Sequence, residues 1–336
     1  MKRLRIIYLF SLAVLTFLLS TCTKQSDPWP EPQPSPQPET FHGVRIYILS
    51  VGDLHEYSGN LAQFATLVKQ VRDTATNVYT VLAGDFFMAH GNYNVQRCSG
   101  QTDMKVPPDL KVPKDSSQYF AGEAMARMVD FLDFSAIAPG NHDWVYGQRL
   151  LNKRGIKAKL IGCNVGEPAD FVKEYITFHS TQGKYTLNLI GVAGNDNIHS
   201  FAGESVRVYS ITTSTSQSKL RAAINSGDIN VLVTHLTDAD DLSAFSTLRG
   251  NRGTILFDAL CGGHTHKSEA LLKSGSVYVK AGLFDTYAGV TCIWWDTVRR
   301  TVVKRTTRLD CLEGLSKDPA TAALIDSLHR VYPHYQ

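Results

Sequence analysis

No Cys-x-x-Cys pair occurs among the six cysteines of this chain, so a thiolate-rich zinc site is not expected. Strong net charge is also lacking: 34 basic and 31 acidic side chains leave a formal +3, and Lys2, Arg3 and Arg5 contribute to it from the extreme N-terminus. A basic surface built for nucleic acid is therefore not expected. The apolar run Ile6 to Leu19 falls short of the ~20 residues that a membrane-spanning helix needs. No period of roughly 20 to 50 residues is visible, which argues against a solenoid.

What stands at the N-terminus reads as an address. Lys2, Arg3 and Arg5 form a positive region before the apolar run, and Leu19-Ser20-Thr21-Cys22 follows where a cleavage site is expected. This resembles a bacterial lipoprotein signal, which implies removal of residues 1–21 and lipidation of Cys22, although Thr21 stands where Gly, Ala or Ser is usual. The alternative is an ordinary secretory signal with a chance cysteine. Either way the protein is expected to be exported, and on the first reading it is held at a periplasmic or cell-surface membrane face by its lipid. Residues 22–40 form a Pro-rich linker. Between Asp27 and Glu39 proline alternates with polar residues, a composition that favours extended polyproline II and a semi-rigid spacer.

Beyond residue 40 the composition is that of a globular protein, with 43% hydrophobic and 19% charged residues over the whole chain. Val44 to Val51 and Val78 to Ala83 read as strands, and between them Leu61 to Arg72 has helical spacing. Residues 90–118 show no clear period and read as a long loop over a site. Tyr119 to Leu132 reads as a helix, Phe134 to Ala138 as a strand, Gly147 to Arg154 as a short helix and Lys159 to Asn164 as another strand. Tyr185 to Ala193, Ile229 to Thr234 and Phe257 to Cys261 are further strands, with extended chain at Val206 to Ile211 and a helix at Ser218 to Asn225. Val277 to Ala281, Gly289 to Asp296 and Thr301 to Arg308 read as sheet, and Asp318 to Leu328 as a surface helix in a tail, 311–336. Of the cysteines beyond Cys22, Cys261 and Cys292 lie in strand-like runs and read as buried; the pairing among these two and Cys98, Cys163 and Cys311 is open.

One event recurs along these strands. An apolar run ends in a Gly- or Thr-led cluster of Asp, Asn and His: Gly52-Asp53-Leu54-His55, Gly84-Asp85, Gly140-Asn141-His142-Asp143, Thr234-His235 and Gly262-Gly263-His264-Thr265-His266. Singly, each is an ordinary polar turn. Together they direct carboxylate, amide and imidazole groups from several strand ends to one place. Asp53, His55, Asp85, Asn141, His235, His264 and His266 form a donor set suited to Zn, Mn or Fe(II) without choosing among them. Seven donors exceed the needs of one tetrahedral ion. Two ions ~3.5–4 Å apart would clamp both oxygens of a phosphoryl displacement.

In this order the motifs resemble the calcineurin-like metallophosphoesterase superfamily over about Phe41 to Asp310. Gly122 to Met128, Asp133 to His142 and Tyr146-Gly147 are similar to the catalytic domain of its 5'-nucleotidase branch. The resemblance implies a single α/β domain over 41–310, with two facing mixed β-sheets flanked by helices. It further implies that Asp53, His55 and His266 hold one divalent metal, that Asn141, His235 and His264 hold the other, and that Asp85 bridges them. A metal-bridging hydroxide would attack a small phosphomonoester substrate, with a nucleotide as one candidate. His142 would act over the phosphate, and Asp143 would orient it or complete the turn. A phosphodiesterase at the same site, or a silent metal- or phosphate-binding surface lipoprotein, are the alternatives.

Three departures stand out. Glu56 replaces the usual glycine after the first His, Val145 occupies the position of the Asp that usually orients the catalytic His, and the sequence stops at Gln336 where 5'-nucleotidases continue into a base-binding domain. Tyr93, Trp144, Tyr146, Phe284 and Tyr287 are candidates to stack on a substrate or simply to pack. Nothing in the sequence sets the oligomeric state.

Overall fold

The computed structural model describes residues 41–87, 93–99, 102–105, 117–146, 150–152, 154–166, 169, 171–181, 183–196, 206–248 and 255–332. The signal segment, Cys22 and the Pro-rich linker lie outside them. In chain order the elements are β1 (Gly43–Val51), α1 (Leu61–Thr74), β2 (Val78–Leu82), β3 (Tyr93–Gln96), β4 (Thr102–Lys105), α2 (Ser117–Leu132) and β5 (Ala136–Ile137). A 3-10 turn (Asp143–Tyr146) follows, then α3 (Arg154–Lys159), β6 (Tyr175–His179), β7 (Thr186–Val192), α4 (Ser214–Ile224), β8 (Ile229–Thr234) and α5 (Asp238–Thr247). The chain continues with β9 (Ala259–Gly262), β10 (Ser268–Lys273), β11 (Ser276–Ala281), β12 (Tyr287–Asp296), β13 (Thr301–Cys311) and α6 (Pro319–Val331).

These strands form two large mixed sheets. The first has five strands in the order β13-β12-β1-β2-β5, and the second six in the order β10-β11-β9-β8-β7-β6. In the first, β1, β2 and β5 run parallel while β12 and β13 are antiparallel additions. In the second, β7, β8, β9 and β11 run parallel, with β6 and β10 antiparallel at the edges. The sheets face each other across Ile46, Ile48, Val81 and Ala136 on one side and Leu189, Val231, Val233 and Val279 on the other, all fully buried. Outward faces are covered as well. Leu49 and Leu82 pack with Phe64 of α1, Met125 of α2 and Leu328 of α6, while Ile190 and Leu232 pack with Leu220 of α4 and Phe245 of α5. Strand β8 is buried along its whole length, which is why its sequence is nearly continuous in apolar residues instead of alternating. The result is one αββα sandwich spanning His42 onward.

Several local expectations change. Residues 90–118 are not a featureless loop, because β3 and β4 form an antiparallel hairpin within them. Lys159 to Asn164 is not a strand: α3 runs through Lys159, and only isolated parallel bridges, Ile137 with Leu160 and Ile161 with Lys173, follow. Asn164 ends the extended run by hydrogen-bonding through its own amide to Ala193 N and O and to Tyr209 O, replacing ladder bonds that a strand would have made. Within Gly147 to Arg154, 147–149 lie outside the described residues. Val206 to Ile211 contributes only a bridge between Val165 and Val208. Helix α5 and strand β10 were not anticipated, although Thr237 caps α5 through Asp240 N and three aspartates fill its first turn.

The cysteines also resolve. Cys98 and Cys311 form a disulfide joining the residues after β3 to the end of β13, and Cys163, Cys261 and Cys292 are buried thiols. Burial pushes the Cys163 and Cys261 thiols up to about 12, so they behave as small apolar groups.

Candidate metal and catalytic site

Parallel strands β1, β2 and β5 of one sheet and β8 and β9 of the other end at the same edge of the sandwich, where the turns after them continue the ladder hydrogen bonds. Asp53 N donates to Gly84 O, His55 N to Asp85 O and Ala138 N to Leu82 O; on the other sheet His235 N donates to Val192 O and Gly263 N to Thr234 O. The turns are thus extensions of the sheets. Gly84 is required there: its φ is +77°, and a Cβ would lie 2.5 Å from His235 Nδ1 and 2.6 Å from Gly140 N.

The donor atoms converge in two groups. Asp53, His55 and His266 form one, and Asp85, His235 and His264 the other, each with ligand atoms within 4.8 Å of one another. His55 Nε2 lies 3.2 Å from His266 Nε2 and 3.9 Å from Asp85 Oδ2, and His266 Nε2 lies 3.6 Å from Asp53 Oδ1. His235 Nε2 is 3.0 Å from the same Asp85 Oδ2, which therefore stands between the groups. Asn141 Oδ1 is 3.1 Å from His264 Nδ1, placing the amide beside the second group.

Five of these side chains sit on strained backbone: φ is +52° at Asp53, +46° at His55, +49° at Asp85, +75° at His264 and +57° at His266. Left-handed conformations at non-glycine residues cost on the order of 1 kcal/mol each and concentrate where function over-determines the backbone. Glu56 shares this conformation at +62°, which gives the glycine usual at that position a physical reason. Its carboxylate-bearing side chain is buried in spite of that.

Electrostatics agree with a cation-binding role. Burial works against the charge on Asp85, but His235, His55 and His142 hold its carboxyl well below the ordinary range. Burial likewise disfavours a charged His235, yet the Asp85 and Asp53 carboxylates raise it to about 9, so this pocket favours a positive charge beside Asp85. Burial pushes His266 down to about 4, leaving a neutral ring with a lone pair to donate. The His235 ring places 2.7 Å between Nδ1 and the Ala83 carbonyl, so Nδ1–H donates there. Nε2 is buried and aimed at Asp85 Oδ2 at 3.0 Å, so the place that the raised value gives to a proton is one that a divalent cation would take in its stead. That arrangement fits a divalent cation, and an oriented imidazole of this kind is what metal sites use.

His142, expected to act on the substrate, donates its backbone N–H to Asp85 Oδ1 at 2.9 Å and sets its ring edge-on to His55 at 5.2 Å. Asp143 was expected to orient His142 or to complete the turn. Grouped with His142 as catalytic, it is fully buried and accepts backbone N–H groups from Asp85 at 2.9 Å, Phe86 at 2.9 Å, Phe87 at 3.0 Å and Gly140 at 2.7 Å. Its carboxylate ties the Asp85 turn to the Gly140 turn, a geometry that favours the turn-completing alternative. Among the aromatic candidates Trp144 and Phe284 are buried packing groups, and Tyr287 donates its hydroxyl to Arg97 O. The side chains of Tyr93 and Tyr146 lie outside the described residues.

Asp196 was not among the expected donors. Its Oδ2 lies 3.5 Å from His264 Nε2 in the loop after β7, and Gly194-Asn195-Asp196 repeats the pattern found after other strands. A third cluster, Cys98, Cys311 and Glu313, is not a metal site because the disulfide consumes both sulfurs.

The family model for calcineurin-like phosphoesterases matches residues 46–268. A search of curated proteins finds no significant match. Among solved structures the chain is similar to a 5'-nucleotidase precursor from Thermus thermophilus, with TM-score 0.62, 16% identity, and coverage of 85% of this chain and 59% of that one. It is similar to the calcineurin-like phosphoesterase YfkN from Bacillus subtilis, with TM-score 0.60, 16% identity, and coverage of 87% and 99%. The NAD nucleotidase of Haemophilus influenzae gives TM-score 0.60, 13% identity, and coverage of 87% and 60%. At these identities the likeness is one of fold, and the chain spans about three fifths of the length of the T. thermophilus and H. influenzae proteins. The family match, however, covers about two thirds of the sequence and includes every ligand-bearing turn from Asp53 to His266. The chain belongs to the calcineurin-like phosphoesterase family.

Proposed function

We propose that this protein hydrolyses a small phosphomonoester, with 5'-nucleotides the first class to test, using two divalent cations. The observation that carries this reading is the pair of donor groups with Asp85 Oδ2 between them. Asp53, His55 and His266 would hold one cation, and Asn141, His235 and His264 the other, with Asp85 shared. When bound, such a pair supplies an activated water and neutralises charge on the phosphoryl oxygens. The chain's own residues do the rest. Ala83 fixes the His235 tautomer through its carbonyl, Asp143 holds the Asp85 and Gly140 turns in register, and His142, beside His55, stabilises the phosphate or protonates the leaving oxygen.

Export and a lipid anchor at Cys22 belong to the same proposal. They are supported by the N-terminal signal pattern and by the Cys98–Cys311 disulfide, a bond that persists in oxidising compartments. The decisive experiment compares p-nitrophenyl phosphate with its diester analogue, then a panel of nucleotides, with Mn, Zn or Fe(II) supplied and metal content measured. Monoester turnover with close to two ions per chain is expected. Asp85→Ala is expected to lose both metal and turnover. Faster cleavage of the diester would replace the monoesterase reading, and no cleavage with any metal would leave a binding protein.

A further inference from the structure

Lys280 in β11 is almost completely buried, at 1% exposure, where an ammonium group needs partners. Its Nζ donates to Leu236 O at 3.0 Å, Asp238 Oδ1 at 3.1 Å and Thr265 Oγ1 at 3.2 Å, and pairs with Asp241 Oδ2 at 2.9 Å. The fully buried Asp241 accepts the Thr234 hydroxyl at 2.8 Å, and Asp238 accepts that of Thr265 at 3.0 Å. The Tyr278 hydroxyl borders both carboxylates, and the exposed Lys267 pairs with Asp238 from outside.

The residues this network holds are not scattered. Thr234 and Leu236 flank His235 on both sides, and Thr265 separates His264 from His266. Three imidazoles are therefore bracketed by one buried cluster while none of them belongs to it. Room for the lysine is provided on the paired strand: Lys280 lies opposite Gly262, where a Cβ would stand 3.0 Å from Lys280 Cε, 3.1 Å from Thr234 Oγ1 and 3.3 Å from Asp241 Oδ2. The first glycine of Gly262-Gly263-His264 thus makes space for Lys280. A buried ion pair seldom stabilises a fold more than apolar packing of the same volume does. Its value here lies in what it connects, since His264 and His266 occupy left-handed backbone that neighbours must enforce.

We propose that Lys280 is a positioning residue that clamps the turn after β8 to the turn after β9, so that His235, His264 and His266 meet their cations pre-aligned. This rests on the dinuclear reading above. Removing the lysine alone would strand Asp241 without its cation, so the test uses Lys280→Met/Asp241→Asn, with Thr265→Val as a milder second variant. Mn2+ is titrated calorimetrically into each metal-free protein, and kcat and KM for p-nitrophenyl phosphate are measured at saturating Mn2+. The double variant is expected to bind Mn2+ roughly 10–100-fold more weakly, as second-layer substitutions at metal sites do. Its KM is expected to stay within about threefold of wild type while kcat falls, and Thr265→Val is expected to weaken binding in the same direction by a smaller factor. A merely structural lysine would lower the unfolding temperature of the metal-free protein and leave Mn2+ affinity alone. A folded double variant with wild-type affinity overturns the proposal; if it does not fold, wild-type affinity in Thr265→Val does. Failure of the wild-type protein itself to bind Mn2+ overturns the dinuclear reading and this one with it.

Discussion

At the scale of single residues, neighbours in sequence do unlike work. Asn141 offers an amide beside the second donor group, His142 faces His55, and Asp143 turns inward to four backbone amides. His142→Ala is expected to keep its metal content and lose about 10²–10⁴ in kcat; a fully active variant would remove His142 from the mechanism. Asp143→Ala would orphan buried N–H groups and is expected to destabilise the protein by on the order of 3 kcal/mol in urea unfolding, with activity falling as the Asp85 turn loosens. An unfolding midpoint unchanged from wild type would contradict that role. The identity of the donors was readable because Asp, Asn and His recur at strand ends. The role of Asp143 was not, because orienting a ring and accepting backbone amides use the same side chain at the same spacing. Val145 stands where the family resemblance places an orienting carboxylate, and the Asp143 carboxylate is directed to backbone amides.

At the scale of elements, α6 shows how a terminal helix is tied in. Asp318 caps it through Thr321 N at 2.9 Å and the Thr321 hydroxyl at 2.7 Å, Pro319 opens it, and Lys69 of α1 pairs with the same carboxylate. Its own N–H donates to Ala62 O of α1 at 2.9 Å, and Leu328 enters the core beneath. The stretch read as a tail is therefore docked. Lys69 and the Thr321 donors bring the Asp318 carboxyl down to about 2. Because its folded value is depressed, the stability it contributes is complete above the ordinary carboxylate value of 3.8 and is lost as pH falls toward 2. Asp318→Ala should cost about 1–2 kcal/mol at pH 7. The difference from wild type should shrink when unfolding is repeated at pH 2.5; a constant difference would show that the carboxylate charge is not what matters. Most elements were legible from periodicity, with β8 recovered at its full extent. Lys159 to Asn164 misled because its apolar residues face the core while making only isolated bridges, a tertiary outcome that local pattern does not distinguish from a strand.

At the scale of the whole molecule, two devices bring distant chain together. The Cys98–Cys311 bond closes a separation of 213 residues, with Arg97 and Glu313 paired beside it at 2.6 Å. Cys98→Ser/Cys311→Ser is expected to lower stability by about 2–5 kcal/mol in urea unfolding, and a reductant should shift wild type to match the variant. A variant as stable as wild type would show that the sheets alone hold these ends. The other device is the site, where His55 and His266 meet across 211 residues.

The sequence by itself determined the chemistry, because residue type decides what a side chain can donate: carboxylate, amide and imidazole groups with no free thiolate among them, placed after apolar strands in a fixed order. The αββα class was legible through the family resemblance that these motifs carry, and strands buried on both faces fit it because they need helices outside them. Only the tertiary structure decided the distances at which the turns meet, which cysteines pair and which groups each carboxylate touches. Those outcomes depend on strand order across two sheets and on left-handed backbone at Asp53, His55, Asp85, His264 and His266. Lys280 is the clearest case. In sequence it is a lysine near the end of an apolar strand, and only the packing of β11 against β9 and α5 makes it a buried cation between the histidine turns.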